Sequence, residues 1–345
     1  MPEATRLRRL GRIDLELTPA GLGGAPLGNL GSVMPDEQAE DLVAAAWEDG
    51  VRYFDTAPAY GNGLSELRFG QALEGRPRDA FVLSTKVGCG LTPGEPEPGP
   101  WVDPAPYRMS FDYSYDGALR QLESSLERLR TDRVEIVYIH DVDVAHHGAA
   151  QPQRFAEAMS GSYRALAELR EQGVVRAIGV GVNEAEVCMA AAEAGDFDCF
   201  LLAGRYTLLE QGAIADLLPL CEERDIAIVM GGVFNSGILA TGAREGARYN
   251  YAPASPEILA RVARIEGICA RFGVPLGAAA AQFPLGHPSI TSVVLGARRR
   301  QQQAVNHTFM THPIPDSMWA ALKADGALPA SVPVPSATPR RSGTP

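Results

Sequence analysis

The amino-acid sequence predicts an α/β fold, a single (β/α)8 barrel of the TIM type. Three observations carry that expectation. Short β-rich runs alternate with amphipathic helical stretches along almost the whole chain. With eight strand candidates, such alternation means parallel pairing through right-handed crossovers, and eight units close into a barrel ringed by helices. The first strand-to-turn stretch, Gly21-Leu22-Gly23-Gly24-Ala25-Pro26, puts proline where a GxGxxG fingerprint needs its third glycine, which disfavours an open dinucleotide-binding sheet.

In chain order, AGLGGAPLG holds the first strand and VRYFD, Val51–Asp55, the second. FVLSTK, Phe81–Lys86, reads as a buried strand. Tyr115–Arg130 sets Leu119, Leu122, Leu126 and Leu129 at helical spacing. VEIVYIH, Val134–His140, is a strand, and Ser162–Gly173 a helix stopped by glycine. AIGVGV, Ala177–Val182, leads into the helix NEAEVCMAAAEAG, and CFLLA, Cys199–Ala203, into AIADLLPLCEER. AIVMG, Ala227–Gly231, and SVVLG, Ser292–Gly296, complete the set.

Composition narrows the function. The 345 residues, 46% apolar and 21% charged, suffice for a large core. A net charge of −11 lacks the basic stripe of a nucleic-acid surface. No apolar run approaches the roughly 18 residues of a membrane span. MPEATRLRRLGRI has no apolar h-region, and the five scattered cysteines form no CxxC. A cytoplasmic protein without disulfides is expected, a monomer or small homo-oligomer acting on a small molecule.

Two segments stand outside the alternation. Residues 88–114 are rich in Gly and Pro and carry Trp101, Tyr107, Phe111 and Tyr113, which suggests a lid. The barrel is expected over residues 1–325 and a disordered Pro/Ser-rich tail over 326–345.

In such barrels the chemistry sits at the C-terminal strand ends. Four polar side chains fall there: Asp55 after VRYF, Tyr60 on the next loop, Lys86 after FVLST and His140 after VEIVYI. An ammonium close to a phenol favours the phenolate and lowers its pKa. A carboxylate keeps the ammonium charged, and an imidazole can hold a substrate oxygen. Together they suit a phenol that moves a proton near neutral pH.

These residues also carry a resemblance. DTAPAYGNGLSE, STKVG, SLERLRTDRVEIVYIHD and VLGARRRQQQAVN resemble the aldo-keto reductase superfamily over residues 7–325. FDYSYDGALRQLESSLERL, IHDVD, AIGVGVNEAEVC and FNSGIL are similar to its bacterial branch of D-threo-aldose 1-dehydrogenases, L-fucose dehydrogenases and pyridoxal 4-dehydrogenase. The resemblance implies a catalytic tetrad of Tyr60, Lys86, Asp55 and His140, with Tyr60 as proton donor or acceptor. It also implies an extended NAD(P) whose adenosine-phosphate loop is Gly296 to Asn306. There Ala297, Arg298, Arg299 and Gln302 would face the ribose, and Asn306 the adenine.

The sequence departs from the superfamily around the nicotinamide. The usual Ser-Asn pair reads Gly181-Val182-Asn183, the next strand's Gln is replaced near Ala203, and the stacking Tyr aligns with Gly231. Asn183, Tyr206 and Phe234 are the expected substitutes. Arg299 and Arg300 exceed the single Arg of the pattern, and guanidiniums there would favour a 2′-phosphate, which admits NADP beside NAD.

Rival readings weigh less. Asp55 alone would be a cap or an ion-pair partner, and Lys86 alone a solvated strand end. His140, Asp141, Asp143, His146 and His147 could mark a metal site, but such loop clusters are more often solvated, and no metal is expected. Cys89 beside Lys86 could be a nucleophile, yet no base lies near it in sequence. Arg298–Arg300 could be a solvated helix start. The resemblance thus implies an NAD(P)-dependent oxidoreductase that oxidises a cyclic hemiacetal, an aldose such as L-fucose, D-arabinose or L-galactose, to its lactone. Alternatives are an aldehyde or ketone reductase of a biosynthetic pathway, a pyridoxal 4-dehydrogenase, a cofactor-binding regulatory subunit and a metal-dependent hydrolase.

Overall fold

A computed structural model describes residues 7–336. Eight parallel strands close the barrel: β1 (Ala20–Gly23), β2 (Tyr53–Asp55), β3 (Val82–Val87), β4 (Ile136–His140), β5 (Ala177–Val182), β6 (Cys199–Ala203), β7 (Ala227–Gly231) and β8 (Ile290–Gly296). Each pairs with the next in sequence, and β8 pairs with β1 through Val293↔Ala20 to Gly296↔Gly23. Strands β5, β6 and β7 have the bounds their apolar runs predict, because a strand covered on both faces needs no polar alternation.

Residue alternation divides the core in two. Tyr53, Val82, Ile136, Tyr138, Ala177 and Val229 fill the barrel interior. Phe54, Leu83, Val137, Ile139 and Ile178 point outward to the helices. The helical ring includes Tyr115–Leu129, Ser162–Glu171, Ala185–Ala194, Pro256–Arg271 and Arg300–Thr311. An N-terminal hairpin, Arg8–Leu10 with Ile13–Leu17, contributes Leu10, Leu15 and Leu17 to the interior cluster.

The segment 88–114 is ordered. It forms an antiparallel hairpin, Cys89–Pro93 with Tyr107–Phe111, pairing Cys89 with Phe111. Of the stretch expected to be a disordered tail, residues 326–336 are described, and Leu328 and Val332 are buried in the outer core. Two apolar side chains spaced between prolines are enough to anchor it. The rest of that stretch, 337–345, lies outside the described residues.

Candidate active site

The strand alternation that sends Tyr53 and Tyr138 inward also turns Asp55, Lys86 and His140 inward, at the C-terminal ends of β2, β3 and β4. All three are buried. Lys86 Nζ donates to Asp55 Oδ1 at 3.0 Å, to Asp55 Oδ2 at 2.9 Å and to the Thr56 carbonyl at 2.7 Å. An ammonium has three donors, so these bonds occupy them. Ser84 Oγ donates to Asp55 Oδ1 at 2.7 Å and stands 3.0 Å from Tyr53 OH. The buried pair is thus fully hydrogen-bonded, as a buried charge requires.

Tyr60 reaches this pair from the loop after β2. Gly61, Asn62 and Gly63 all have left-handed φ, +64°, +54° and +93°. A Cβ on Gly61 would stand 2.5 Å from the Gly28 carbonyl oxygen, so the loop must pass bare backbone over Gly28. The turn then starts the helix Leu64–Leu73, whose Ser65 Oγ donates to the Gly24 carbonyl at 2.8 Å. Glu66 on the same helix is fully buried between Thr85 Oγ1, at 2.6 Å, and Arg128 Nε, at 2.7 Å. That network holds the tyrosine loop against the back of β3.

The Tyr60 ring packs 5.7 Å, edge to face, from the His140 ring, with Lys86 Nζ over it at 4.7 Å from its centroid. Burial, reinforced by the Asp55 and Asp141 carboxylates, pushes the Tyr60 phenol well above its ordinary value. The sequence suggests the reverse, a phenol lowered by Lys86. The difference is that Asp55 offsets the lysine charge and that the ammonium faces the ring. Burial, with the Lys86 charge beside it, holds His140 well below its ordinary value, so it is a neutral imidazole. Among the described residues its Nδ1 has no hydrogen-bond partner. The tetrad is therefore a neutral phenol next to a neutral base, over a buried cation.

The hairpin segment roofs this mouth. Trp101 stacks at 5.7 Å from the Tyr60 ring, in a tilted contact. Val102 N donates to the Asn29 carbonyl at 3.0 Å, Ala105 N to the Gly61 carbonyl at 3.0 Å and Asn62 Nδ2 to the Tyr107 carbonyl at 2.6 Å. The aromatics of this segment stand out in the sequence, but not that Trp101 is the one at Tyr60, since the pairing joins residues 41 apart.

The expected cofactor residues divide. Asn183 directly follows β5, half-buried, with Arg205 Nε donating to its carbonyl at 2.6 Å. Phe234 follows β7, half-buried, 6.2 Å from the Phe309 ring. Tyr206 does not join them. It is fully buried in the outer core, 5.1 Å from the Phe283 ring, so its phenol faces helices instead of the mouth. Gly296, the last residue of β8, is exposed, and Ala297 after it is buried. Asn306 Nδ2 donates to the Gly296 carbonyl at 3.2 Å, and Gln302 Oε1 accepts from Arg298 N at 2.7 Å.

The three arginines play different parts. Arg298 donates to the carbonyls of Leu30 and Ser32, each at 2.7 Å. Arg300 pairs with Asp41 at 2.7 Å and Glu48 at 2.6 Å. Arg299 is exposed, and among the described residues its side chain makes no hydrogen bond or ion pair. It caps a helix with no acidic residue in its first turn, so the donor set there fits an anion such as a cofactor phosphate.

Two further readings meet the structure here. The loop acids are not simply solvated: Asp143 is fully buried, and Asp141, Asp143 and His146 bring their polar atoms within 4.8 Å of one another. Cys89 is buried, its thiol pushed well above its ordinary value by burial, which is the reverse of an activated nucleophile. No helix among the described residues is long and apolar enough to cross a membrane.

The chain is 40% identical to pyridoxal 4-dehydrogenase of Microbacterium luteolum, over 94% of this chain and 99% of that one. It is 39% identical to D-threo-aldose 1-dehydrogenase of a Pseudomonas species, over 91% and 96%. Among solved structures, the fold matches glycerol dehydrogenase of Gluconobacter oxydans with TM-score 0.75 at 23% identity, over 99% of this chain and 100% of that one. It also matches the holo form of an aldo-keto reductase of Bacillus halodurans with TM-score 0.74 at 23% identity, over 93% and 96%. The profile of the Aldo/keto reductase family spans residues 19–325, from the first barrel strand to the last helix. That span encloses the whole mouth described above, and the chain is an oxidoreductase that belongs to the aldo/keto reductase family.

Proposed function

We propose that this enzyme oxidises the hydroxyl of a cyclic hemiacetal, that of an aldose or of pyridoxal, to a lactone with NAD(P). The observation that carries the reading is the neutral Tyr60 beside the neutral, half-unpaired His140 over the Lys86–Asp55 pair. The two relatives near 40% identity, one named for an aldose and one for pyridoxal, support the substrate class. Both substrates present a ring carbon bearing one hydrogen and one hydroxyl, and the Trp101 face above Tyr60 suits a flat ring.

Asn183 and Phe234 would hold the nicotinamide end of the cofactor. Gly296, Ala297, Arg298, Arg299, Gln302 and Asn306 would hold or shape the adenosine end. The nicotinamide, when bound, supplies the acceptor for the C1 hydride. Tyr60 hydrogen-bonds the substrate oxygen. As the hydride departs, Tyr60 takes the hydroxyl proton while its own proton passes to His140, the base beside it. Lys86 steadies the charge that develops on the phenol oxygen during the exchange. Asp55 keeps Lys86 charged and in place.

A second reading, reduction of an aldehyde or ketone, is favoured by one observation: the phenol is held in its protonated form, ready to give a proton to a carbonyl oxygen. Following reduced nicotinamide by absorbance in both directions separates the two. The panel is L-fucose, D-arabinose, L-galactose and pyridoxal with NAD and NADP, against methylglyoxal-type aldehydes with the reduced cofactors. Turnover only in the reducing direction would overturn the oxidative reading.

A further inference from the structure

From His140 a row of titratable groups leads outward, and the proposed chemistry leaves all but His140 unused. His140 Nε2 lies 3.4 Å from Asp141 Oδ1. The same carboxylate turns Oδ2 to His146 Nε2, also at 3.4 Å. His146 Nδ1 in turn stands 2.7 Å from Asp143 Oδ1. Imidazole and carboxylate alternate through four side chains. One end, His140, is sealed in the barrel, and the His146 side chain is 37% exposed.

Local structure builds the row. Asp141 has a left-handed backbone, φ +53°, which breaks strand alternation and lets neighbouring residues 140 and 141 face each other. Asp143 caps the turn Val144–His147, accepting from His146 N at 3.1 Å. Glu184 fixes the same turn by accepting from Val144 N and Ala145 N at 3.0 and 3.1 Å. His146 is thus held on the far side of Asp141 from His140.

Resting on the reading that Tyr60 and His140 handle the substrate proton, we propose that Asp141 and His146 form a relay that moves that proton between His140 and solvent. Oxidation of the hemiacetal yields one hydride, which goes to the nicotinamide, and one proton, which must leave a roofed site. His140 takes a proton on its unpartnered Nδ1 and gives up the one on Nε2 to Asp141. The carboxyl group turns and passes it to His146 Nε2, and His146 releases it to water. Only N–H and O–H bonds form and break. Asp141 and His146 end as they began, while His140 ends with its proton on Nδ1 in place of Nε2, and a flip of its ring restores the starting tautomer before the next turnover. In the reducing direction the same route supplies a proton to Tyr60.

The electrostatics suit the task. Burial raises Asp141 to about 6, so it exchanges a proton close to neutral pH, and the bond to Asp143 raises His146, so its imidazole accepts a proton more readily than a free one. Lys86, Tyr60, Tyr113, Cys89, Cys188, Tyr251, Glu184 and His147, which burial holds below its ordinary value, are the other titratable groups facing this row. Of these only Lys86 is a cation, and its charge opposes a proton resting on His140. The gradient therefore runs outward from the mouth.

Asp141→Asn and His146→Ala test the relay in the full chain with cofactor and a substrate from the panel. Each is expected to lower kcat by at least about tenfold, within the range for a proton-transfer group, with KM for substrate within about twofold. Added imidazole should restore His146→Ala in a saturable way and leave Tyr60→Phe inactive. Unchanged kcat would overturn the relay. So would a raised KM with kcat intact, which would make Asp141 a contact for a substrate hydroxyl, or a His146→Ala loss that imidazole does not restore, which would make His146 structural. A second arm needs no turnover: nitrogen NMR of the six histidines in the cofactor-free protein. Asp141→Asn should lower the His146 titration midpoint, and an unmoved midpoint would overturn the relay. Absence of turnover in the wild type with every substrate and cofactor would instead overturn the oxidoreductase reading of the tetrad.

Discussion

Lys86 Nζ stands over the Tyr60 ring, 4.7 Å from its centroid, while its hydrogen bonds go to Asp55 and Thr56. The lysine therefore acts on the tyrosine through charge and ring face, and its hydrogen bonds leave the tyrosine hydroxyl free of it. Tyr60→Phe keeps the ring, its contact with Lys86 and its contact with Trp101, and removes only the oxygen proposed to move the proton. It is expected to lower kcat by 10²–10⁴-fold, the usual share of a general acid–base group, with cofactor affinity unchanged. Single-turnover absorbance and fluorescence titration with the reduced cofactor measure the two. Retention of a tenth or more of wild-type kcat would remove Tyr60 from its role.

The Lys86–Asp55 pair is also a structural liability if broken. Lys86→Met leaves the Asp55 carboxylate buried with Ser84 as its remaining side-chain partner. Loss of one partner of a buried ion pair costs about 3–5 kcal/mol. The urea midpoint of Lys86→Met should fall accordingly, and Lys86→Met with Asp55→Leu should recover part of the loss. A double variant no more stable than the single one would show that packing, not the uncompensated charge, sets the cost.

Much of this arrangement was legible in the sequence, and the reasons differ from element to element. The continuous apolar runs of β5, β6 and β7 mark buried parallel strands unambiguously, and the strand-end positions of Asp55, Lys86 and His140 follow from the same periodicity. The N-terminal hairpin is hidden because Arg8–Leu10 is only three residues and mostly basic. The hairpin within 88–114 is masked by its glycines and prolines, which read as loop. Tyr206 was misplaced because an aromatic's identity says nothing of which face it takes outside a strand. The protonation of Tyr60 depends on how the Lys86 charge is shared among neighbours, which only the folded chain decides.

Asp141 gives a pH test of the mouth. Its carboxyl is raised by burial from 3.8 to about 6 in the folded chain. A group raised on folding contributes stability that is complete below its unfolded value and is lost as pH rises through the folded one. Ionised Asp141 therefore weakens the fold above about pH 6, by up to about 3 kcal/mol for a shift of this size. Asn also tolerates the left-handed backbone at this position. Asp141→Asn should raise the melting temperature at pH 8 and lose that advantage toward pH 4. A melting difference independent of pH would mean that the carboxylate is not destabilised by its surroundings.

The arginine run after β8 makes the last prediction, and here the structure changes what the sequence suggests. Three guanidiniums in a row read as a common phosphate site. In the fold, Arg298 donates to two loop carbonyls, of Leu30 and Ser32, and so ties the loop after β1 to the end of β8. The Arg300 charge is met by Asp41 and Glu48. Arg299 alone remains exposed without a side-chain partner among the described residues, at a helix N-terminus with no acidic first turn. A charge-assisted bond to a phosphate contributes about 1.5–3 kcal/mol, and a ribose hydroxyl gains much less from a guanidinium. Arg299→Ala is therefore expected to raise KM for NADP at least about tenfold, which corresponds to about 1.4 kcal/mol, and KM for NAD by less than about twofold. Arg298→Ala should weaken both cofactors alike, because it loosens the loop and not the phosphate contact. Arg300→Ala should leave both KM values near wild type, since its charge is already neutralised. Equal small changes for both cofactors in Arg299→Ala would show that this guanidinium serves solubility and does not read the 2′ position.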